Sequence, residues 1–197
     1  MPSATLNRRA VTAQLLRRRG DSLVVTGLGS TTYDACAAGD HPLTFPLLGA
    51  MGSAVMIGLG LAKAQPTRRV LVITGDGEIL MGLGSLATAG VARPSNLAVV
   101  VIDNGLYAET GMQRAHTGHG VDLAAIARGA CFISSEIVWT QAELDALEER
   151  LYSSPGPAFA NIKVTSEATP IALPPSLDGT TLRTRFRDAL LGPGAPD

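Results

Sequence analysis

Residues 68–80 read RRVLVITGDGEIL. The run VLVIT (70–74) is apolar and β-branched with no polar alternation, the pattern of a strand buried on both faces. It stops on GDG (75–77) without a spacer. A second run of the same kind, LAVVVI (97–102), stops as abruptly on DNGLY (103–107), and Asn104 follows Asp76 by twenty-eight positions. In an open parallel sheet, ligands collect beyond the carboxyl ends of the strands. Right-handed crossovers make two successive strands neighbours or near-neighbours. The Asp76 and Asn104 side chains are therefore expected to converge on one crevice. A carboxylate with an amide oxygen is a hard-oxygen pair, suited to Mg²⁺ or Ca²⁺ over zinc, and Mg²⁺ is commonly shared with substrate phosphates. Gly75 and Gly77 allow the backbone to come close, and a helix beginning near Gly82 or earlier aims free N–H groups at an anion. GDG alone also suits a plain turn; the pair of tips after two buried strands is the more specific signal.

Around this centre the chain alternates strands and helices. SLVVTG (22–27) reads as a first strand, 53–65 as a helix of small apolar residues packed on every side, and 83–92 as a helix stopped near Pro94. VDLAAIARGA (121–130) reads as a helix capped by Gly129, 140–154 as an amphipathic surface helix, and PAFANIKV (157–164) as the last strand. HPLTFPLLGAMG (41–52) is irregular or a short strand with a tight turn, and 103–120 is a glycine-rich polar loop. Continuous apolar strands separated by helices imply an α/β fold of three αβα layers with a central, mostly parallel sheet. A single domain over 1–165 is expected, followed by an arm or tail, 166–197, ending in a short helix.

Composition agrees: of 197 residues 46% are hydrophobic, 17% charged and 22 are glycine. Disorder needs the opposite balance. A net charge of −1 gives no general attraction to nucleic acid or an anionic membrane. No apolar stretch reaches the 18 or so residues of a membrane span. Cys36 and Cys131 stand far apart, read as buried small hydrophobes, and point to a reducing cytoplasm. Residues 1–20 carry five arginines and no acid, which suits a transit peptide or basic patch, but their apolar spacing favours a domain-opening amphipathic helix.

GDG after a buried strand, then DNG after another, resembles the fingerprint of the thiamine diphosphate enzymes on their diphosphate-binding (PP) domain. The likeness runs from about 22 to 164. It implies that Asp76 and Asn104 bind Mg²⁺ through side chains and Leu106 through its carbonyl. It also implies that Gly75, Gly77, Glu78 and Tyr107 border the diphosphate. Asp103 stands where many members have a first asparagine that is not a ligand. Glu78 is a departure: an acid beside a diphosphate repels it unless the side chain turns away and leaves only its N–H, and it equally suits a helix N-terminal acid. LLGAMG (47–52) looks like the turn whose apolar side chain props the cofactor into a bend, with Gly49 in the turn and Met51 at the prop, although Met51 also reads as a core methionine. TGLGS (26–30) resembles the first loop of the sulfopyruvate and phosphonopyruvate decarboxylase branch, where Gly27 and Ser30 approach the diphosphate; Ser30 reads equally as a helix N-cap.

That family's catalytic glutamate sits on a separate pyrimidine-binding (PYR) domain, for which this sequence shows no counterpart. Size and order resemble the β subunit of two-subunit sulfopyruvate decarboxylase. The resemblance therefore implies a PYR-domain α subunit as partner, in an α2β2 or larger assembly, and a small 2-oxo acid as substrate. The chemistry implied is loss of CO₂ with the thiazolium as electron sink, or carboligation. His116 and His119 are candidates for proton transfer or substrate-anion binding. Glu109, Gln113 and Arg114 are candidates for polar contacts, and His41 reads as structural. Two alternatives stand beside this: the β subunit of a 2-oxo acid:ferredoxin oxidoreductase, which should bring cluster cysteines, and a non-catalytic nucleotide- or phosphate-binding module on the same sheet.

Overall fold

The computed structural model describes residues 4–195; positions 1–3 of the expected domain and 196–197 of the expected tail lie outside the described residues. Five strands form the body of one parallel sheet: the buried β1 (Leu23–Thr26), β3 (Val70–Gly75) and β4 (Leu97–Asp103), with the half-buried β2 (Thr44–Pro46) beside β1 and β8 (Ala158–Lys163) beside β4. A two-residue hairpin, β5 (Leu106–Tyr107) with β6 (Gln113–Arg114), stands apart, and β7 (Ser134–Val138) forms the far edge, giving the order β2-β1-β3-β4-β8-β7.

Because side chains alternate across a strand, the sheet sends two sets of residues to two helical layers. Leu23, Val25, Val70, Val72, Leu97, Val99 and Val101 face α3 (Ala54–Ala64), α5 (Gly84–Ala92) and α6 (Leu123–Gly129). Val24, Leu71, Ile73, Ala98, Val100 and Ile102 face α1 (Arg8–Arg17), α2 (Ser30–Ala38) and α7 (Gln141–Ser153). Three αβα layers result, as the strand patterns require. The chain order reverses between β1 and β3, so a crevice opens there at the carboxyl ends of the strands. The short α4 (Asp76–Met81) starts directly at that rim.

Several local expectations change. β7 was hidden because SSEIV is half-exposed and polar at an edge, with none of the apolar continuity of the inner strands. The loop 103–120 contains the hairpin and a 3₁₀ turn, His116–His119. Gly129 does not cap α6: the C-cap is Ala130, and Cys131 takes the left-handed conformation (φ 68°). Cys131 is exposed and Cys36 half-buried, so neither is a fully buried hydrophobe. Glu148, on the helix expected at the surface, is buried where α7 crosses α1; its carboxylate takes the Gln14 amide at 3.0 Å and Arg17 at 3.3 Å. Helix α3 is covered on one face only, leaving Met56, Gly60 and Lys63 open.

The basic N-terminal stretch is tied into the fold. Arg8 and Arg9 both reach the buried Asp34 on α2, at 2.5 and 3.0 Å, and Asn7 caps α1. Segment 166–178 has no regular structure. It leads into α8 (Gly179–Leu191), capped by Asp178, whose Phe186 packs on Phe45 of β2 with ring centres 5.5 Å apart. Among the described residues no helix is long and apolar enough to cross a membrane.

Candidate functional site

Asp76 is the first residue of α4, one step beyond the end of β3, and is 3% exposed. Gly75 pairs with Ile102, so Asp76 and Asp103 are the next residues outward on adjacent strands. Burial raises the Asp76 carboxyl to a pKa of about 6, and the Asp103 charge adds to the rise; the Thr117 hydroxyl and backbone N–H groups pull the other way. Thr117, buried in the 3₁₀ turn, donates Oγ1–H to Asp76 Oδ2 at 2.7 Å. No cation meets Asp76 among the described residues.

Asp103 is treated otherwise. Lys163, its cross-strand neighbour on β8, forms an ion pair with it, Asn161 Nδ2 donates at 2.9 Å, and the Gly105 N–H donates at 3.0 Å. Its side chain is thereby turned inward and spent. The following Asn104 accepts the Leu106 N–H at Oδ1 (3.0 Å), and with Gly105 at φ 70° this turns the chain into β5.

Asp76, Asn104 and Leu106 line one open cleft. Ser30, Met51 and Tyr107 form other parts of its wall. Gly75, Gly77 and Glu78 lie along its floor.

A family model described as "Thiamine pyrophosphate enzyme, C-terminal TPP binding domain" matches residues 27–162. The sulfopyruvate decarboxylase subunit beta of Methanothermobacter thermautotrophicus is 40% identical over 144 residues, covering 73% of this chain and 74% of that protein. The chain belongs to the thiamine pyrophosphate enzymes. Within that family its relatives place it in the sulfopyruvate and phosphonopyruvate decarboxylase branch. The phosphonopyruvate decarboxylase of Streptomyces viridochromogenes is 38% identical over 162 residues, which are 81% of this chain but 38% of that longer protein. A thiamin diphosphate-dependent enzyme from Mycobacterium smegmatis, described as putative in its title, shares the fold, with a TM-score of 0.69 at 24% identity over 85% of this chain and 33% of that one.

As a thiamine pyrophosphate enzyme domain, the chain places most of the expected residues together and a few apart. Met51 is 37% exposed and faces the cleft, so it is not a core methionine. Ser30 lines the cleft but does not cap α2; Gly29 holds that position with no side-chain bond. Gly27 is beneath the lining. Its N–H donates to Ile73 O at 2.8 Å, its carbonyl accepts the Thr31 and Thr32 hydroxyls, and a side chain there would strike the Glu78 carboxylate. Gly49 stands in the exposed turn before Ala50, outside the lining. At Gly77 the Tyr107 ring fills the space a Cβ would take. His116 and His119 are exposed on either side of the buried Thr117 and do not line the cleft. Glu109 reaches over Gly29 (φ 77°) and lines the cleft, whereas Gln113 and Arg114 are exposed on β6. His41 accepts the Leu43 N–H at Nδ1 (3.1 Å), and burial lowers its pKa, as suits a structural residue.

Glu78 is 3% exposed and turned inward. Thr74 Oγ1 donates to its Oε2 at 2.7 Å, and burial raises its carboxyl pKa against the pull of Thr74 and of backbone groups of Gly52, Gly75 and Leu28. Sequence reasoning missed Thr117, Lys163 and Asn161. Their only signal is tertiary, since each sits 41 to 60 positions from the acid it meets.

Proposed function

We propose that this chain is the PP-domain subunit of a thiamine diphosphate- and Mg²⁺-dependent 2-oxo acid decarboxylase or carboligase. In this reading the domain spans 1–165 with 166–197 as its tail, and a PYR-domain subunit completes the site. One observation carries it: the buried Asp76 carboxylate meets no protein cation, and it shares a cleft with the Asn104 amide and the Leu106 backbone. A buried carboxylate left unpaired is costly, and a divalent cation removes that cost. The donor set is all hard oxygen, which fits Mg²⁺; it would be held by Asp76, Asn104 and the Leu106 carbonyl. Among the described residues no cluster of three or more His, Cys, Asp or Glu competes for a metal.

Thiamine diphosphate, when bound, supplies the carbanion and electron sink for CO₂ loss from a 2-oxo acid. The chain's own residues do the rest. The first turn of α2, with no side-chain cap, lines the cleft through Ser30 and Thr31, and a helix N-terminus suits a diphosphate. Gly75, Gly77 and the Glu78 N–H would border the same anion, and Met51, which lines the same cleft, would be the apolar prop for the cofactor. Thr117 holds the Asp76 carboxylate by Oδ2, and the other oxygen would be left for the cation. Because Thr117 is tied to Asp76, the turn carrying His116 and His119 borders the site. These histidines are assigned to the substrate, which approaches from the side of the partner subunit. The open stripe of α3 (Met56, Gly60, Lys63) suits burial against another chain in an α2β2 or larger assembly.

The test is co-expression with a PYR-domain subunit and assay of CO₂ release from a panel of small 2-oxo acids, sulfopyruvate and phosphonopyruvate included. Thiamine diphosphate- and Mg²⁺-dependent CO₂ release is expected. Neither CO₂ nor a new carbon–carbon bond with any of them, together with tighter binding of ATP or NAD, would overturn the reading.

A further inference from the structure

Three turns frame the cleft and come from distant parts of the sequence: 27–30 after β1, 50–53 before α3, and 75–78 after β3. Among the described residues, the one backbone hydrogen bond from the first two turns to β3 is the Gly27 N–H on Ile73. The Glu78 side chain fills the space between them. Its carboxylate lies against Gly27, so closely that a Cβ there would be 1.6 Å from Oε2. Thr74 Oγ1 donates to Oε2 at 2.7 Å. The backbone groups of Leu28, Gly52 and Gly75, one from each turn, act on the same carboxylate electrostatically without reaching hydrogen-bond geometry, and Oε1 is buried with no partner. The turns also interlock at Gly52 and Gly82: a Cβ on Gly82 would stand 2.0 Å from the Gly52 carbonyl oxygen.

Backbone N–H groups converging from three turns form an anion nest. Here the anion is part of the chain. A buried carboxylate oxygen without a hydrogen-bond partner is costly; Thr74 and the N–H dipoles offset part of that cost, and burial still raises the group's pKa.

We infer that Glu78 is a positioning residue: a built-in anion that holds the turns 27–30 and 50–53 against the end of β3, so that the cofactor cleft exists before cofactor arrives. This deepens the reading above by giving its one awkward residue a role. The carboxylate is spent on the backbone, leaving the Glu78 N–H for the diphosphate. Pre-formed sites bind more tightly because less ordering remains to be done.

The experiment is hydrogen exchange of the full chain, without cofactor, comparing the parent with Glu78→Gln and Glu78→Ala. Gln keeps the shape but presents an N–H₂ group to the nest on one side. Amide exchange in 27–30 and 50–53 is expected to rise about tenfold in both variants, with β4 and α7 unchanged. The Kd for thiamine diphosphate in saturating Mg²⁺ is expected to weaken about tenfold, since one kilocalorie-scale preference is a factor of that order. Unchanged exchange in those turns overturns the inference. So does a uniform rise across the chain, which would mean mere loss of stability. Because exchange is read without cofactor, the brace is tested even if thiamine diphosphate fails to bind the parent, a result that would instead strike the functional reading.

Discussion

Asp76 and Asp103 are acids at the tips of neighbouring strands, one step past the same register pair, and almost equally buried. The fold treats them in opposite ways. Asp103 is given a lysine, an asparagine amide and a backbone N–H; Asp76 is given one hydroxyl and the dipoles of its own turn. Desolvation costs are similar for the two, so the difference lies in compensation. The balanced acid fastens β4 to β8. The unbalanced one faces the cleft with no cation beside it among the described residues. A buried acid is a functional candidate when its neighbours leave it unpaid.

The largest effect should come from removing the unbalanced charge. Asp76→Asn is expected to weaken Mg²⁺-dependent binding of thiamine diphosphate by about 100-fold or more, at the top of the range seen when a residue that merely supports a ligand is lost. The same change should stabilise the cofactor-free chain. The folded Asp76 carboxyl, at about 6 against an ordinary 3.8, binds its proton more tightly than in the unfolded chain. Its contribution is therefore fully favourable below pH 4 and lost as pH rises through 6. At pH 7.5 the Asn variant should gain on the order of 1–3 kcal/mol in urea denaturation, with the gain vanishing towards pH 4.

Breaking the balanced partner should do the reverse. Lys163→Met leaves Asp103 buried without its cation and is expected to cost about 3 kcal/mol of stability by urea denaturation. Smaller again is Thr117→Val, which unties the Asp76 carboxylate without removing it; cofactor affinity should fall about tenfold in calorimetric titration. The least effect on affinity, within about twofold, is expected for His116→Gln and His119→Gln. If they move protons for the substrate, turnover of the assembled enzyme should still fall by about 100-fold.

The layers and the two strand tips that line one cleft were legible in the sequence because they rest on local pattern. VLVIT and LAVVVI announce inner strands through unbroken β-branched runs, and each is followed at once by its polar tip. β7 was not legible, since SSEIV at an exposed edge lacks that pattern. Nor was the contrast between the two acids. Asp76 and Asp103 look alike in sequence, and what separates them, Thr117 against Lys163 and Asn161, is set by strand order and by a turn folded back across the sheet. Gly27 shows the same limit: a glycine after β1 was readable, but its neighbour Glu78, which makes the side chain impossible, is fifty-one positions away.

The most direct measurement substitutes Mn²⁺ for Mg²⁺ and records its magnetic resonance spectrum with thiamine diphosphate. One bound ion is predicted, with hyperfine coupling to ³¹P of the diphosphate, and with binding lost in Asp76→Asn and in Asn104→Ala. An ion that shows no phosphorus coupling, or that binds both variants as tightly as the parent chain, would contradict the assignment of these two strand tips to a shared metal.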